Sequence, residues 1–311
     1  DGFLLEEHWE GSGTALRDHL KKLQHQYMDE TSPIPLSSLY EEYFRILSQS
    51  NADPWYMYQR SEHMKKKNFI LKWRRKAMEM MLHKPHQLFS SIVSPEFWHR
   101  KLRQHRTMVL YDRLARIPDL SKLFIYIPLH LQPEATTCPM SGAYVDQERL
   151  VQLLAWHLPK DVQLYVKEHP AQEELCRSET FYRRLQELPS VTLVPRDFDT
   201  FTLTKHALAV ATGTGTAGFE ALFRGKPILM FGHRFFQYAP GVHRIRTHKD
   251  CAEAMRKILH GEGAPSLRDG RLFLRALQDT APPYVDSHRP PSEGRTKKEV
   301  AEIMAAYIAD Q

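Results

Sequence analysis

The sequence predicts an α/β fold: a mainly helical region up to residue 118, then a five-stranded parallel sheet with crossover helices. Three observations carry this expectation. From residue 119 onward, short apolar runs alternate with helical segments, which is the texture of βαβ units. Residues 207–232 pass from an apolar run through Thr212-Gly213-Thr214-Gly215-Thr216 into a helical stretch, stop at Gly225 and re-enter an apolar run, so they read as strand, loop, helix, strand. Before residue 118 no buried strand is legible, only helical patterns interrupted by Pro33, Pro35, Pro54, Pro85 and Pro95.

Taken in order, Leu123–His130 is the first predicted strand and Gln147–His157 a helix with Asp146 as its N-cap. Val162–Lys167 is the second strand, followed by a helix near Phe181–Leu188. Val191–Val194 is the third, with a short helical stretch to His206. Leu208–Ala211 is the fourth, Gly218–Phe223 its helix, and Ile228–Phe231 the fifth. Five parallel strands connected this way make a Rossmann-like lobe. Two further helices follow at about 250–260 and 267–278, then a Pro-rich connection at Pro282, Pro283, Pro290 and Pro291, and a last amphipathic helix from Thr296 to Ile308. The domain reading is therefore a helical region 1–118, a Rossmann-like domain 119–264 and C-terminal helices 265–311.

Composition narrows the class. The 311 residues are 42% hydrophobic and 26% charged, enough for a real core, and no stretch approaches the roughly 18 apolar residues of a membrane span. The chain opens on Asp1-Gly2 with acidic residues close behind, which is no signal pattern, and the missing initiator Met points to a trimmed or partial chain. Cys138, Cys176 and Cys251 support neither a disulfide framework nor a CxxC site, and a reducing cytoplasm is expected. The net charge of +6 is regional: residues 60–106 hold 13 Lys or Arg against 3 Asp or Glu. Within Arg60 to Leu82, Ile70, Trp73, Ala77 and Met81 share one helical face, while Lys65, Lys66, Lys67, Lys72, Arg75 and Lys76 crowd the others. Such a basic amphipathic helix is a solvated face, a contact for anionic lipid or a contact for nucleic acid. No aromatic-interleaved basic motif or zinc-finger spacing points to nucleic acid.

In an open parallel sheet ligands bind beyond the carboxyl ends of the strands. Three polar clusters sit at such ends: His130-Leu131-Gln132-Pro133-Glu134-Ala135-Thr136-Thr137, then Lys167-Glu168-His169-Pro170, then the Thr/Gly loop. Glu134 suits a general acid, base or nucleophile at an anomeric carbon, or else it caps its own loop; Gln132 suits a substrate hydroxyl or carboxylate. Lys167 and His169 suit a phosphate, with Pro170 fixing the turn that aims the imidazole. Gly213 and Gly215 let backbone N–H groups approach an anion, and Thr212, Thr214 and Thr216 add hydroxyls; the plainer reading is a turn that needs glycine for packing. Glu220, in the helix that follows, suits two ribose hydroxyls or a helix-dipole role. Phe231-Gly232-His233-Arg234-Phe235-Phe236 is a cationic and aromatic loop that closes over a ligand or simply packs. The histidines lack metal-ligand spacing, and no metal is expected.

Gln132-Pro133-Glu134, Lys167-Glu168-His169-Pro170, the run from Gly213 to Leu222 with Glu220, and Gly225-Lys226-Pro227 together resemble the capsule polysaccharide biosynthesis family, which includes bacterial Kdo transferases with Q-x-E and H-P motifs. The resemblance covers roughly residues 120–245, about two fifths of the chain. It implies a metal-independent glycosyltransferase of the GT-B type, whose two lobes face each other and whose donor sits mainly in the C-terminal one. It further implies that Gln132 and Glu134 lie near the sugar, that His169 and Pro170 meet the donor phosphate, and that Thr214, Gly215 and Thr216 form the loop before the ribose-side helix. Residues 1–118 do not read as a second such lobe, so either that lobe is missing from this chain or the acceptor side is built from helices.

The expected function is transfer of a sugar, Kdo or another acidic sugar, from a nucleotide-linked donor to a surface polysaccharide or glycolipid. A CMP-linked donor is favoured, and no cofactor beyond it is expected. The expected place is the cytoplasm, peripheral on the inner membrane face through residues 60–106. The alternatives are a nucleotide-sugar epimerase or hydrolase of the same architecture and a noncatalytic nucleotide- or sugar-binding scaffold.

Overall fold

The computed structural model describes residues 13–29, 31–49, 78, 94–170, 172, 177–280 and 302. The basic helix expected within 60–82, the final helix from Thr296 and Cys176 lie outside the described residues, apart from positions 78 and 302. Strands β1 (Leu123–Pro128), β2 (Val162–Lys167), β3 (Val191–Val194), β4 (Ala209–Thr212), β5 (Ile228–Met230) and β6 (Val242–Arg244) form one parallel sheet in the order β3-β2-β1-β4-β5-β6. The α/β fold with its parallel, Rossmann-like sheet is thus the observed one, with a correction: there are six strands, not five. The sixth is three residues long, lies at the sheet edge and carries His243 and Arg244, so no apolar run announces it.

The helices are α1 (Thr14–Gln26), α2 (Ser38–Ser48), α3 (Pro95–Leu114), α4 (Gln147–His157), α5 (Glu179–Gln186), α6 (Thr200–His206), α7 (Thr216–Leu222), α8 (His248–Leu259) and α9 (Leu267–Thr280). Their starts follow their caps. The Asp146 carboxylate accepts from the Glu148 N–H, as expected. Ser178 caps α5 through the Phe181 N–H, which starts that helix earlier than its apolar pattern does. Thr247 and Asp250 form a reciprocal capping box on α8. None of the described helices is long and apolar enough to cross a membrane.

Strand alternation sorts the core into two halves. Phe124 and Tyr126 of β1 face one side of the sheet with Val210, Ile228 and Met230, and there α1 contributes Leu16, Leu20 and Leu23, α2 Leu47, and α9 Phe273 and Leu274. Ile125 and Ile127 face the other side with Leu164 and Val166, covered by Tyr111 of α3, Leu150 and Leu154 of α4, Tyr182 of α5 and Met255 of α8. The described helices before residue 118, α1, α2 and α3, therefore pack into the same two cores as the sheet. Polar contacts fix this arrangement: Arg271 of α9 donates to the Ile34 carbonyl at 2.8 Å and pairs with Glu41 of α2, and Arg268 reaches the Ser32 carbonyl at 2.8 Å.

The strand order reverses between β1 and β4, so a crevice opens beyond their carboxyl ends. β1 stops at Pro128, short of the expected His130, because the His130 N–H leaves the ladder and donates instead to the Gln147 side-chain oxygen at 2.8 Å.

Candidate functional site

His130 occupies that reversal point. Its Nε2 lies 2.8 Å from Thr212 Oγ1, 3.2 Å from the Gly213 nitrogen and 3.4 Å from the Thr214 nitrogen. Both backbone groups are donors, so Nε2 is the acceptor and the ring is the neutral Nδ1–H tautomer. The Gly215 N–H in turn donates to Thr212 Oγ1 at 2.9 Å, which leaves the Thr212 proton for His130. Burial, reinforced by the positive charges of Arg177, His169 and Arg234, pushes the imidazole down to about 4. The N–H groups of Gly213, Thr214 and Gly215 are thus directed inward, at His130 and Thr212. A Cβ on Gly213 would come within 2.4 Å of Ser141 Oγ and 3.3 Å of His130 Cε1, so this glycine serves close packing.

Beneath His130 lies a buried ion pair. Glu168 Oε1 accepts from Arg177 Nη1 at 2.8 Å and from the His169 N–H at 2.6 Å, and its other oxygen accepts from the Tyr182 hydroxyl. Burial raises the Glu168 pKa, but every contact is a donor, so the group is held as the carboxylate. Arg177 also donates to the His130 carbonyl and, at 3.1 Å, to Gln172 Oε1. Gln172 clasps the backbone of Gln132, accepting from its N–H at 2.8 Å and donating to its carbonyl at 2.9 Å. One guanidinium therefore braces the loop after β1 against the loop after β2. Strand alternation explains the placement: Glu168 shares the Val166 face of β2, whereas Lys167 shares the Tyr165 face.

Around His130 the rim is built from three loops. Gln132 is pinned by its backbone, and its side-chain amide donates to the Val145 carbonyl at 3.3 Å. Glu134 is exposed and accepts from the Thr136 hydroxyl at 2.9 Å. The Thr214 hydroxyl donates to the Thr136 carbonyl, bringing the Thr/Gly loop against the Glu134 loop. His169 is half-buried, Pro170 exposed, and Thr216 exposed at the start of α7. A fourth segment joins from β5: the Gly232 N–H donates to the Gly213 carbonyl at 2.8 Å, the His233 N–H donates to the Met140 carbonyl at 2.9 Å, and Arg246 holds the Gly232 carbonyl at 2.9 Å. Arg234, next in that loop, has Nη1 3.6 Å from Met140 Sδ. Burial lowers its pKa, and the charge of Glu134 acts against this.

Lys167 and Glu220 belong to a second polar group, on the sheet face that α1 and α2 cover. Lys167 Nζ donates to Thr200 Oγ1 at 2.9 Å, and burial drops it to about 8 against the pull of Asp199 and Asp197. Thr200 also bonds the buried Tyr126 hydroxyl. Glu220 pairs with Arg224 at 3.1 Å, and Arg224 lies over the Phe201 ring at 3.9 Å. The Glu220 charge also raises the Tyr43 hydroxyl, which burial has already pushed up, to about 12.

The structure thus gathers Gln132, Glu134, His169 and the loop from Thr212 to Thr216 at one rim, and ties Lys167 and Glu220 into the other group. Sequence reasoning did not single out His130, Glu168, Gln172 or Arg177. For His130 and Glu168 the signal was present, since both stand at a strand end inside the polar clusters; Arg177 and Gln172 have none, because only the folded loop brings them back to β1. Among the described residues no group of three or more His, Cys, Asp or Glu is placed to hold a metal ion.

Several known proteins are similar. The chain is 18% identical to the beta Kdo 2,7 transferase of Thermosulfurimonas dismutans KpsC, with a TM-score of 0.40 over 74% of this chain and 66% of that one. It is 11% identical to UDP-GlcNAc 2-epimerase from Methanocaldococcus jannaschii, with a TM-score of 0.36 over 56% of this chain and 49% of the other. It is 15% identical to AviGT4, a glycosyltransferase involved in Avilamycin A biosynthesis, with a TM-score of 0.32 over 55% and 48%. The chain therefore spans from 48% to 66% of the length of these three proteins. Among curated proteins none matches the chain significantly in sequence. Residues 135–258 match the family described as "Capsule polysaccharide biosynthesis protein", a stretch that runs from Ala135 beside Glu134 through His169 and the Thr/Gly loop into α8. That segment, about two fifths of the chain, is similar to this family.

Proposed function

We propose that the protein is a glycosyltransferase of the GT-B type that moves a sugar, Kdo or another acidic sugar, from a nucleotide-linked donor to a surface polysaccharide or glycolipid. The observation that carries this reading is the meeting of the loops after β1, β2 and β4 around a neutral His130, with the half-buried Arg234 guanidinium beside them. Such a rim suits an anionic leaving group. In this scheme the acceptor hydroxyl oxygen bonds to the anomeric carbon, the bond from that carbon to the phosphate oxygen breaks, and the nucleotide leaves with the electron pair. Glu134, exposed at the rim, takes the hydroxyl proton, and His169 faces the departing phosphate. Gln132, its backbone clasped by Gln172, lines the sugar side. The donor is CMP-linked, and neither a metal nor a further cofactor enters the reaction. The exposed Arg100, Lys101, Arg103 and Arg106 of α3, part of the basic stretch 60–106, suit a peripheral contact with anionic lipid on the cytoplasmic face, where a glycolipid acceptor resides.

The test is thermal unfolding of the protein with CMP, UDP and GDP and their sugars, followed by transfer assays with the donor that responds. Selective stabilisation by one nucleotide is expected. Folded Glu134→Gln and His169→Ala variants should lose on the order of 100-fold or more in transfer rate. Full activity in both would overturn the assignment, and product formed without any acceptor would identify an epimerase or hydrolase instead.

A further inference from the structure

Arg234 stands in an electrostatic position that its own fold does not resolve. Its guanidinium is half-buried, its hydrogen bond is to the thioether of Met140 at 3.6 Å, and among the described residues no carboxylate lies within ion-pair range of it. A thioether is a weak acceptor, so a partly desolvated guanidinium is left without the oxygen acceptors that its five donors suit. Other partly buried arginines among the described residues each have an oxygen acceptor: Arg177 has Glu168, Arg224 has Glu220, Arg246 has four backbone carbonyls, and Arg271 has Glu41 and the Ile34 carbonyl. Arg234 is also held in place on both sides. The Gly232 N–H donates to the Gly213 carbonyl and the His233 N–H to the Met140 carbonyl, so the Arg234 backbone follows two contacts, one with the Thr/Gly loop and one with the loop after β1. A Cβ on Gly232 would lie 2.4 Å from Thr214 Cγ2 and 2.7 Å from the Met140 carbonyl oxygen, so this approach is as close as a backbone allows. Of the neighbouring charges, Arg177 is already paired with Glu168 and His130 is neutral, so neither supplies the missing acceptors; Glu134 acts on Arg234 only through its field.

We propose that Arg234 is the group that grips the oxyanion of the ligand at this rim, through paired N–H donors to a phosphate ester or a sugar carboxylate. The inference rests on the reading of the site as one for an anionic donor, and it adds the residue that sets the charge requirement. A bound oxyanion supplies the missing acceptors. The expected trade-off is specific. Removing the cation leaves the ligand-free protein as stable as before or more stable, and weakens binding of anionic ligands only.

The experiment titrates the wild-type chain and the Arg234→Met, Arg234→Gln and Arg234→Lys variants with CMP, UDP, inorganic phosphate, free Kdo and uncharged cytidine, by calorimetry and thermal unfolding. The two neutral variants should bind the anionic probes ~10–100-fold more weakly than wild type and leave cytidine unchanged, with Arg234→Lys in between. A loss confined to phosphate-bearing probes identifies the phosphate as the partner, and one confined to Kdo identifies the carboxylate. Wild-type affinity for every anion in a folded neutral variant would overturn the proposal, as would equal weakening of CMP and cytidine. If the wild type binds no nucleotide, the donor reading fails by itself. Loss of phosphate or Kdo binding in Arg234→Met then still supports the oxyanion role, and no anion binding by the wild type overturns it.

Discussion

His130 Nε2 and Thr212 Oγ1 are 2.8 Å apart, a bond that ties the chain just beyond β1 to the end of β4 across the point where the sheet order reverses. Because the Gly213 and Thr214 N–H groups converge on the same nitrogen, the ring can hold its place only while neutral.

That requirement sets a pH window. The folded-state value of about 4 lies below the ordinary 6.5, so between these two the unfolded chain binds more protons and stability falls as pH falls. The contribution is fully present above about 6.5 and is of order 3 kcal/mol over the window. Urea unfolding at a series of pH values should show wild type losing its advantage over His130→Gln as pH drops from 6.5 towards 4. A constant difference across the window would remove the assignment of a neutral, buried ring.

Arg177 is expected to be the most sensitive single charge in the domain. Arg177→Met leaves Glu168 ionised and fully buried, a loss of about 3–5 kcal/mol. Glu168→Gln in the same chain should restore part of it, because an amide tolerates burial better than an unpaired carboxylate. A double-mutant cycle in urea measures the coupling; additive single effects would show that the pair does not act as a unit.

The core is equally testable at α1. Leu20 is buried against the face of the sheet that carries Phe124 and Tyr126. Leu20→Ala should cost about 2–5 kcal/mol and shift a single cooperative transition. A separate early transition with the main one unmoved would make α1 and the sheet independent units.

Gly232 tests the junction of loops at the rim. Two of the three nearest neighbours of an added Cβ are the backbone carbonyls of Met140 and Gly213, at 2.7 and 2.9 Å, so neither can rotate away. Gly232→Ala should cost about 1–3 kcal/mol and weaken nucleotide binding with it. An alanine that is neutral in both measurements would mean that the loop after β5 is not held against the Thr/Gly loop.

What the sequence made legible follows one rule: features carried by local periodicity and capping were readable, and features made by chain return were not. β2 and β3 run over the expected residues, and the N-cap of α4 is the expected Asp146, because apolar runs and caps are local signals. β6 was missed because edge pairing with β5, not hydrophobicity, makes it a strand. At the rim, the convergence of the loops was foreseen from the parallel sheet alone. The inward use of the Thr/Gly loop N–H groups was not, since it depends on where the His130 ring ends up. Nor does the sequence reveal that the Lys167 ammonium bonds the Thr200 hydroxyl, which only the β3 to β4 crossover brings to β2.

Lys167 therefore separates a structural role from a phosphate-binding one. Burial depresses it from 10.5 to about 8, so between these values the unfolded chain holds more protons and wild-type stability rises with pH. At pH 7 the charged ammonium is a burden that Thr200 and the field of Asp199 and Asp197 only partly offset. Lys167→Met should leave stability at pH 7 unchanged or higher, abolish the rise between pH 8 and 10.5, and keep the thermal response to nucleotide. Retention of that response follows because the Lys167 ammonium is bonded to Thr200 in the group that holds Tyr126 and Glu220, while the anion site proposed above is the His130 rim. If Lys167→Met instead eliminated the nucleotide response without loss of stability, the ammonium would have to leave Thr200 on binding, and the phosphate would lie on the β2 side of the crevice.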